Sequence, residues 1–446
     1  MSGCYAFIKK YNQMKHSKFF VSAGLKLVVF LLVLPAFFNW MPAFSALNQI
    51  ENDSVKYLIC KGLVTDAVNK EPLSFASVSV EGTNIATVTN AEGGFLMKIP
   101  VDMKNGNLLV SFLGYKNRTF PISDFSNEFN RLEMVISPIS LPDVNVVFKD
   151  AESLMREVLE RRGENYLDQS TEMTAFYRET IKKRKSYIAL LESVIDIYKY
   201  SYVSARNDMA AIYKIRKQTD YNKLDTVVFK LMGGPYNTLY TDIMKDPERI
   251  FTDKIFENYI FSYDKSTMID NKMVYVLDFK QRPSYSEPLF YGKLYIDAQN
   301  FTLVSAVYDM NLEDAEVASE LFIRKKPTYA KVKVTKARYR VNYNTRGDKW
   351  YLGYNRVELD VEINWKRKLF NTTYESVMEM AVTDWKPAVD DKWSKAGNRL
   401  KPHVVVSDAV SGFSDVDFWG PYNVIEPEKP IGTAIKKIQK QLEQKK

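Results

Sequence analysis

The sequence contains few of the side chains that ligate metals or act in nucleophilic catalysis. It has 446 residues but only 2 histidines and 2 cysteines. A zinc site needs several Cys or His ligands, and a Ser–His–Asp arrangement needs a histidine beside the nucleophile. The only histidine beyond the N-terminal segment is His403, which follows Pro402 and is predicted to lie in a loop. We therefore predict a non-enzymatic protein without a catalytic residue, a metal site or a cofactor.

The excess of positive charge does not indicate nucleic-acid binding. The formal net charge is +8, but residues 1–45 contain five lysines and no Asp or Glu, which leaves +3 for the remainder. A near-neutral body has no basic surface that could follow a phosphate backbone. We expect no nucleic acid among the partners.

The N-terminal segment has the pattern of a secretory signal. It is basic up to Lys26, apolar from Leu27 to Phe38, and reaches a small-x-small sequence at residues 43–45. An apolar run of about 12 residues is shorter than the ~20 that span a bilayer. We predict a signal peptide over residues 1–45 and an exported protein, periplasmic or associated with the outer membrane. A retained anchor that begins at Phe19 is the alternative.

Cleavage of this signal would remove Cys4 and leave Cys60 as the only thiol. The mature chain could then form no internal disulfide. A lone cysteine in an oxidising compartment is usually buried, and we expect this for Cys60.

Residues 55–137 show the pattern of a small β-sandwich. Aromatic residues make up 13% of the chain, a bias that favours strands. About seven short strands alternate with turn signals, which is typical of a sandwich. The clearest alternations place three residues of each strand on a buried face: Ala76, Val78 and Val80, then Phe95, Met97 and Ile99.

The same residues carry a family resemblance. The matching positions are Gly62-x-Val64-x-Asp66, Glu71-Pro72-Leu73-x-x-Ala76-x-Val78, Gly82-Thr83, Thr87-x-Thr89-Asn90-x-x-Gly93-x-Phe95 and Ser111-Phe112-Leu113-Gly114-Tyr115. In these positions the segment resembles the carboxypeptidase-regulatory-like domain family, although Asn90 stands where the family usually carries Asp. The resemblance implies a prealbumin-like β-sandwich used as a structural or interaction module. Metallo-carboxypeptidase activity is excluded, because the histidine ligands for zinc are lacking.

The rest of the chain predicts a linker over residues 138–149 and a helix-led antiparallel β-domain over residues 150–385. The helix is expected over 150–167 with Asp150 as its cap, and a second helix over Leu239–Met244. A bulge near Thr335-Lys336 would restore the alternation of its strand. The predicted fold class is mainly β: a seven-stranded β-sandwich, then a larger curved antiparallel β-sheet, an open or half barrel, with a few helices.

The larger sheet has an apolar face that could bind a ligand. The segment Tyr291–Asp297, its turn and Thr302-Leu303-Val304 are loosely similar to half-barrel lipoprotein carriers of the periplasm. This resemblance implies a concave apolar surface that holds acyl chains. The candidate ligand-binding residues are Leu294, Ile296, Val357, Leu359, Val361 and Ile363. The alternative interpretation is that these residues form the core of the sheet.

The last part, residues 386–446, is predicted to be a loop-rich tail with a C-terminal amphipathic helix. The segment Asp417–Pro427 is expected to seal the sheet. In the helix, Ile431, Ile435, Ile438 and Leu442 line one face, which could pack on the domain or contact an anionic membrane surface.

The sequence thus favours a non-enzymatic cell-envelope binding or assembly protein. Its β-sandwich would be an interaction module, and its curved β-domain would bind a hydrophobic ligand, such as a lipid or lipoprotein, or an envelope protein. The alternatives are an envelope glycan hydrolase that uses paired carboxylates and a pure scaffold of an outer-membrane complex.

Overall fold

The structure is a computed structural model. It describes residues 57–125, 129–137, 150–184, 186–219, 234–269, 272–322, 330–366, 370–389, 393, 399–402 and 416–433. The predicted signal (1–45), the predicted linker (138–149), His403 and the predicted terminal helix beyond residue 433 lie outside these residues. The described residues belong to one compact unit that begins at Tyr57. None of its helices combines the length and the apolar character that a membrane span requires.

The first part of this unit is a seven-stranded sandwich, as predicted. Its strands are β1 (Tyr57–Asp66), β2 (Ser77–Val80), β3 (Ala86–Val88), β4 (Gly94–Pro100), β5 (Asn107–Ser111), β6 (Arg118–Pro121) and β7 (Asn130–Met134). One sheet has the order β4-β1-β7 and the other the order β3-β2-β5-β6. Short 3-10 turns at Val101–Met103 and Ile122–Asp124 connect them. The expected inward residues of β2 and β4 fill the core together with Cys60.

Two residues of the family pattern are joined although they are far apart in sequence. The Tyr115 hydroxyl donates to Asp66 Oδ2 at 2.8 Å, and Asp66 Oδ1 accepts from the amides of Asn69 and Val68. These hydrogen bonds, led by the one from the Asn69 amide, hold the pKa of Asp66 below its usual value. These two residues of the family pattern therefore stabilise the loop that follows β1.

The helices within the described residues are short. They are α1 (Ala151–Glu160), α2 (Arg162–Asn165), α3 (Pro235–Leu239), α4 (Asp253–Phe256) and α5 (Ala315–Phe322), with 3-10 turns at Pro247–Arg249 and Val416–Trp419. Asp150 caps α1, as predicted, by accepting from the Ser153 amide at 2.7 Å.

Two helix predictions need correction. The first helix does not continue to Leu167, because Tyr166 is extended and bridges to Trp350 while its hydroxyl donates to the Leu303 carbonyl. The helix expected over Leu239–Met244 lies one turn earlier. Proline suits the first turn of a helix, where its missing N–H is not needed, and Pro235 starts α3 there.

The second part is a ten-stranded, fully antiparallel curved sheet, which confirms the predicted fold class. Its strands are β8 (Thr171–Lys183), β9 (Ser186–Lys199), β10 (Met209–Thr219), β11 (Tyr259–Ile269), β12 (Lys272–Gln281), β13 (Phe290–Asp297), β14 (Thr302–Met310), β15 (Ala330–Arg346), β16 (Lys349–Trp365) and β17 (Thr372–Pro387). Their order is β10-β9-β8-β17-β16-β15-β14-β13-β12-β11. Among the described strands, the outermost β10 and β11 do not pair with each other, so the sheet is open. Strand β17 continues two residues into the predicted tail.

The strand details follow the sequence pattern closely. The register of β15 against β16 shifts between Val334 and Lys336, where the sequence predicts a bulge. A second shift lies between Asn342 and Tyr343. Strand β16 alternates as expected, with its odd-numbered apolar residues from Val357 buried.

Candidate functional site

All six residues predicted to bind a ligand lie on one face of the large sheet, here called the inner face. Leu294 pairs with Ala306, Ala306 with Val341, and Val341 with Asn355, two residues before Val357. Paired residues share a face of the sheet, and so do residues two apart on one strand. The two candidate residues of β13 therefore lie on the same face as the four of β16. The side chains are between 0% and 5% exposed.

The chain itself covers this face in two separate apolar clusters. Leu294, Ile296 and Val357 pack in the largest core, to which α1 contributes Leu154 and Met155. The remaining three, Leu359, Val361 and Ile363, pack in a second cluster with residues that include Ile181, Trp365 and, partly buried, Leu321 and Phe322 of α5. Their burial fits the alternative interpretation, a sheet core, and ligand binding by these residues stays a prediction.

A buried ionic cluster lies beside the largest core. Lys199 Nζ is 2.9 Å from Asp208 Oδ2 and 2.7 Å from Asp242 Oδ2, and the Tyr343 hydroxyl donates to Asp242 Oδ1 at 2.8 Å. Burial alone would lower the pKa of Lys199, but the two carboxylates outweigh it and raise that pKa. Burial raises the pKa of Asp208. These contacts fix the loops around residues 208 and 242 to the sheet.

A polar cavity of about 130 Å³ adjoins this cluster. Its lining residues are Ser204, Ala205, Arg206, Asn207, Asp208, Tyr236, Leu239, Tyr240, Lys245 and Asp246. Lys245 Nζ donates to the carbonyls of Ser201 and Ser204, and Asp246 pairs with Arg249. Its volume is small for an acyl chain, and its lining combines charged groups with the rings of Tyr236 and Tyr240.

The opposite face of the sheet, here called the outer face, carries a row of charges that the sequence did not predict. Six strands contribute one residue each, and successive members pair directly in the register. We call this row the charge ladder; in order across the sheet it consists of Arg340, Arg356, Glu379, Arg178, Glu192 and Arg216.

Arg178 is the centre of the charge ladder. Its Nε is 2.8 Å from Glu192 Oε1 and its Nη1 is 3.2 Å from Glu379 Oε1. The side chain is 1% exposed. Burial would raise the pKa of Glu192, but Arg178 and Arg216 hold it below its usual value. Charges buried this deeply are tolerated because each has an opposite partner.

Aromatic rings close the two ends of the charge ladder. The guanidinium groups of Arg340 and Arg356 lie 5.5 and 5.1 Å from the ring centre of Phe75, in the sandwich. At the other end, Arg216 lies 5.0 Å from the Trp419 ring. The ladder is thus enclosed between the large sheet, the sandwich and the C-terminal part of the chain.

Residues 418–428, here called the docked tail, cross the outer face above the ladder. Three successive carbonyls accept hydrogen bonds from side chains of the body: that of Val424 from Thr87 Oγ1 (3.1 Å), that of Ile425 from Arg178 Nη2 (2.6 Å) and that of Glu426 from Asn90 Nδ2 (3.0 Å). The side chain of Asn423 pairs with the backbone of Lys98, accepting from its amide at 2.7 Å and donating to its carbonyl at 3.2 Å. The docked tail thus contacts both the sandwich and the sheet.

Sequence reasoning could have found part of this site. Glu192 is the one charge between Tyr187 and Ile195 of its strand, which is the signal that was available. Glu358, Asp360 and Glu362 alternate with the apolar residues of β16. Burial would raise the pKa of Glu358, but Arg356 and Lys336 lower it to about 2. It is a paired structural acid.

Comparisons with known proteins confirm the resemblance of the first domain. Residues 60–151, about a fifth of the chain, match the family model of the CarboxypepD_reg-like domain. No curated protein matches the sequence. The module is therefore assigned over this segment.

Several solved structures are loosely similar to the chain. A candidate outer membrane lipoprotein-sorting protein domain from Vibrio parahaemolyticus is 12% identical, with coverage of 55% of this chain and 98% of that one and a TM-score of 0.23. A DUF1329 family protein from Desulfovibrio piger is 10% identical, with coverages of 55% and 97% and a TM-score of 0.24. A candidate membrane-associated protein of unknown function from Bacteroides fragilis is 11% identical, with coverages of 74% and 98% and a TM-score of 0.15.

Proposed function

We propose that the protein is a non-enzymatic assembly protein of the cell envelope that binds a partner protein on a rigid body. The observation that carries this proposal is the enclosed charge ladder. It joins the sheet to the docked tail through a buried, charge-assisted hydrogen bond and meets the sandwich at the Phe75 ring. Charge-assisted contacts hold their geometry better than apolar packing alone. A fixed arrangement of modules is what a scaffold requires.

A protein partner fits the surface better than a lipid does. The described part of the inner face is filled by the chain itself, and the cavity beside it is small and polar. Phe129, Val135 and Ile136, at the two ends of edge strand β7, are 60%, 45% and 53% exposed. Exposed apolar residues next to a strand edge are typical of protein contacts.

Export belongs to the same proposal. The segment 1–45 has the pattern of a signal, and it would direct the body to the periplasm or the outer membrane. Fusion of residues 1–60 to a reporter that is active only outside the cytoplasm tests this step.

Crosslinking in the envelope tests the partner. A photoreactive amino acid replaces Phe129, and a matched control carries it at Val389, which is 88% exposed and far along the chain. We expect a discrete protein adduct from position 129 and none from position 389. Equal labelling at both positions would overturn the proposed surface.

Mass spectrometry of the gently purified protein, intact and after solvent extraction, tests the alternatives. A stoichiometric lipid that disappears on extraction, and that is lost in Leu359→Lys without unfolding, would replace the scaffold by a lipid carrier. Release of sugar from envelope polysaccharide would replace it by a glycan hydrolase. A clean protein mass together with the adduct supports the proposal.

A further inference from the structure

The docked tail is held in the way a protein holds a bound peptide. Its carbonyls at positions 424, 425 and 426 each accept a hydrogen bond from a side chain outside the tail. The side chain of Asn423 hydrogen-bonds to the backbone amide and carbonyl of Lys98 in β4, as a neighbouring strand would. These residues have no helix or strand hydrogen bonds of their own. The body therefore satisfies the polar groups that an extended segment would otherwise expose to water.

Apolar side chains anchor the same segment. Trp419, Val424 and Ile425 are 6%, 8% and 0% exposed, and they pack with Val88 of the sandwich and Phe176 of the sheet. The Trp419 and Phe176 rings meet edge to face at 5.5 Å. The groove between sandwich and sheet thus binds both the backbone and selected side chains of the docked tail.

The donors of the groove belong to the body and are positioned there by other bonds. Asn90 uses Oδ1 to accept from the amides of Gly94 and Glu92, which orients its Nδ2 toward the docked tail. Arg178 is oriented by Glu192 and Glu379. A binding site is preorganised when its donors are held in place by contacts that do not involve the ligand.

We propose that this groove is a binding site for an extended peptide and that its partner, besides the chain's own tail, is the tail of a second copy. A second copy presents the identical segment, so every contact described above can form between two chains. Residues 403–415, thirteen in number, lie between Pro402 and Val416 and can span at most ~45 Å. Exchange of the docked tail between two neighbouring bodies over this connection would give a swapped dimer. The inference does not require export or an envelope partner.

A fluorescent synthetic peptide with the sequence of residues 416–433 tests the groove. The full-length variant Asn423→Ala/Ile425→Ala weakens the chain's own tail and leaves the groove intact. We expect this variant to bind the peptide at least 10-fold more tightly than the wild type, whose tail competes. Addition of Asn90→Asp, which keeps the Oδ1 acceptor but removes the Nδ2 donor, should then weaken binding about 10-fold.

The control is Thr433→Ala, because within the part of the chain that the structure describes the Thr433 hydroxyl donates to the Lys429 carbonyl of its own turn and to no residue of the groove. It should bind the peptide as the wild type does. If the tail-weakened variant keeps the wild-type circular dichroism spectrum and binds no peptide, the groove is a folding interface and the proposal is wrong. If this variant is unfolded, Thr87→Val and Asn90→Asp in the full chain provide the second measurement. Each should increase hydrogen exchange of the amides of residues 418–428, and unchanged exchange would overturn the proposal.

Complementation tests the second copy. The tail-weakened variant has an intact groove and a weakly bound tail, whereas Asn90→Asp has an intact tail and a weakened groove. Analytical ultracentrifugation of their mixture should show a 1:1 dimer at concentrations at which each variant alone is monomeric. Peptide binding without this dimer would reject the second copy as partner and retain only the peptide groove.

Discussion

Glu179 is a buried carboxyl of strand β8. It lies on the inner face between Leu191 and Met378, is 7% exposed and accepts from the Tyr177 hydroxyl at 3.0 Å. Burial raises its pKa to about 7, and the hydrogen bond from Tyr177 only partly opposes this. Near neutral pH the site is thus divided between its neutral and its charged form.

This carboxyl should make the protein less stable as the pH rises. Between pH 4.5 and 7 the unfolded chain loses the proton while the folded chain keeps it, so the free energy of unfolding falls by up to about 3 kcal/mol and is then constant. Glu179→Gln should remove this dependence and be more stable than the wild type at pH 8. Urea unfolding at pH 5, 6, 7 and 8 measures it. Glu358→Gln is the control, because a pKa of about 2 places its titration below this range; parallel curves for wild type and Glu179→Gln would contradict the prediction.

Cys60 should be unreactive in the folded protein. It is 1% exposed in the sandwich core, and burial raises its pKa to about 11. At pH 8 the thiolate fraction is then on the order of 100-fold below that of an unfolded cysteine. In a Cys4→Ser variant, reaction with Ellman's reagent should be at least that much slower than in 6 M guanidinium chloride. Equal rates in the two conditions would show that the sandwich opens readily.

Gly292 should be irreplaceable for steric reasons. A Cβ atom there would lie 2.3 Å from the Val307 carbonyl oxygen and 2.6 Å from Tyr308 Cα, backbone atoms that cannot move cheaply. Gly292→Ala should lower the free energy of unfolding by about 2–3 kcal/mol. Gly347→Ala is the control: its φ is +63° but no atom lies within 4 Å, so a cost of about 1 kcal/mol is expected. Urea unfolding compares the two variants, and equal losses would refute the steric explanation.

At the level of strands, the sequence predicted what depends on local periodicity. The alternation of β16 and the bulge after Val334 are visible in the chain because a strand has a period of two. The helix near residue 239 was placed wrongly, since a five-residue helix has too few positions to show a 3.6-residue period. Asn90 stands where the family usually carries Asp, and its Nδ2 has a role that only the distant Glu426 reveals.

The charge ladder could not be predicted, because it depends on which strands are neighbours. Arg178 and Glu379 are 201 residues apart in the sequence and adjacent in the sheet. A one-residue change of register would move either side chain to the opposite face. The local sequence pattern gives no partner for any of these charges.

Removal of the central arginine should destabilise the whole ladder. Arg178→Met leaves Glu192 and Glu379 buried with fewer partners, and a loss of about 3–5 kcal/mol in the free energy of unfolding is expected. Arg338→Met is the matched control, since Arg338 is 50% exposed and pairs with Asp309 at 2.9 Å. It should cost less than about 1 kcal/mol. Urea unfolding at pH 7 measures both, and similar losses would mean that the ladder adds nothing beyond surface pairing.

At the level of the molecule, the two β parts have separate cores that meet at a third. The sandwich core and the largest sheet core share no residue, and the cluster with Val88, Phe176, Tyr354 and Trp419 lies between them. Among the described residues, hydrogen bonds cross this junction from Asn84 Nδ2 to the Trp385 carbonyl and from the Gly114 amide to the Met268 carbonyl, both at 2.7 Å. Cooperation between the two parts therefore depends on the contacts at this junction.

Phe75 is the side chain on which this cooperation should depend most. Its ring stacks on Tyr354 at 5.4 Å with an interplanar angle of 16°, and it also covers two arginines of the ladder. The backbone at Phe75 has a positive φ of +66°, which is equally unfavourable for alanine. The change in stability of Phe75→Ala therefore measures the loss of the ring alone. Truncation of this partly buried ring should cost less than the about 3–5 kcal/mol of a fully buried aromatic, and the loss weakens the junction. In calorimetry we expect one thermal transition for the wild type and two for Phe75→Ala, one for each β part. Phe370→Ala, at a residue that is 76% exposed, should keep one transition. A single transition in Phe75→Ala, merely shifted to lower temperature, would show that the docked tail couples the two parts without this ring.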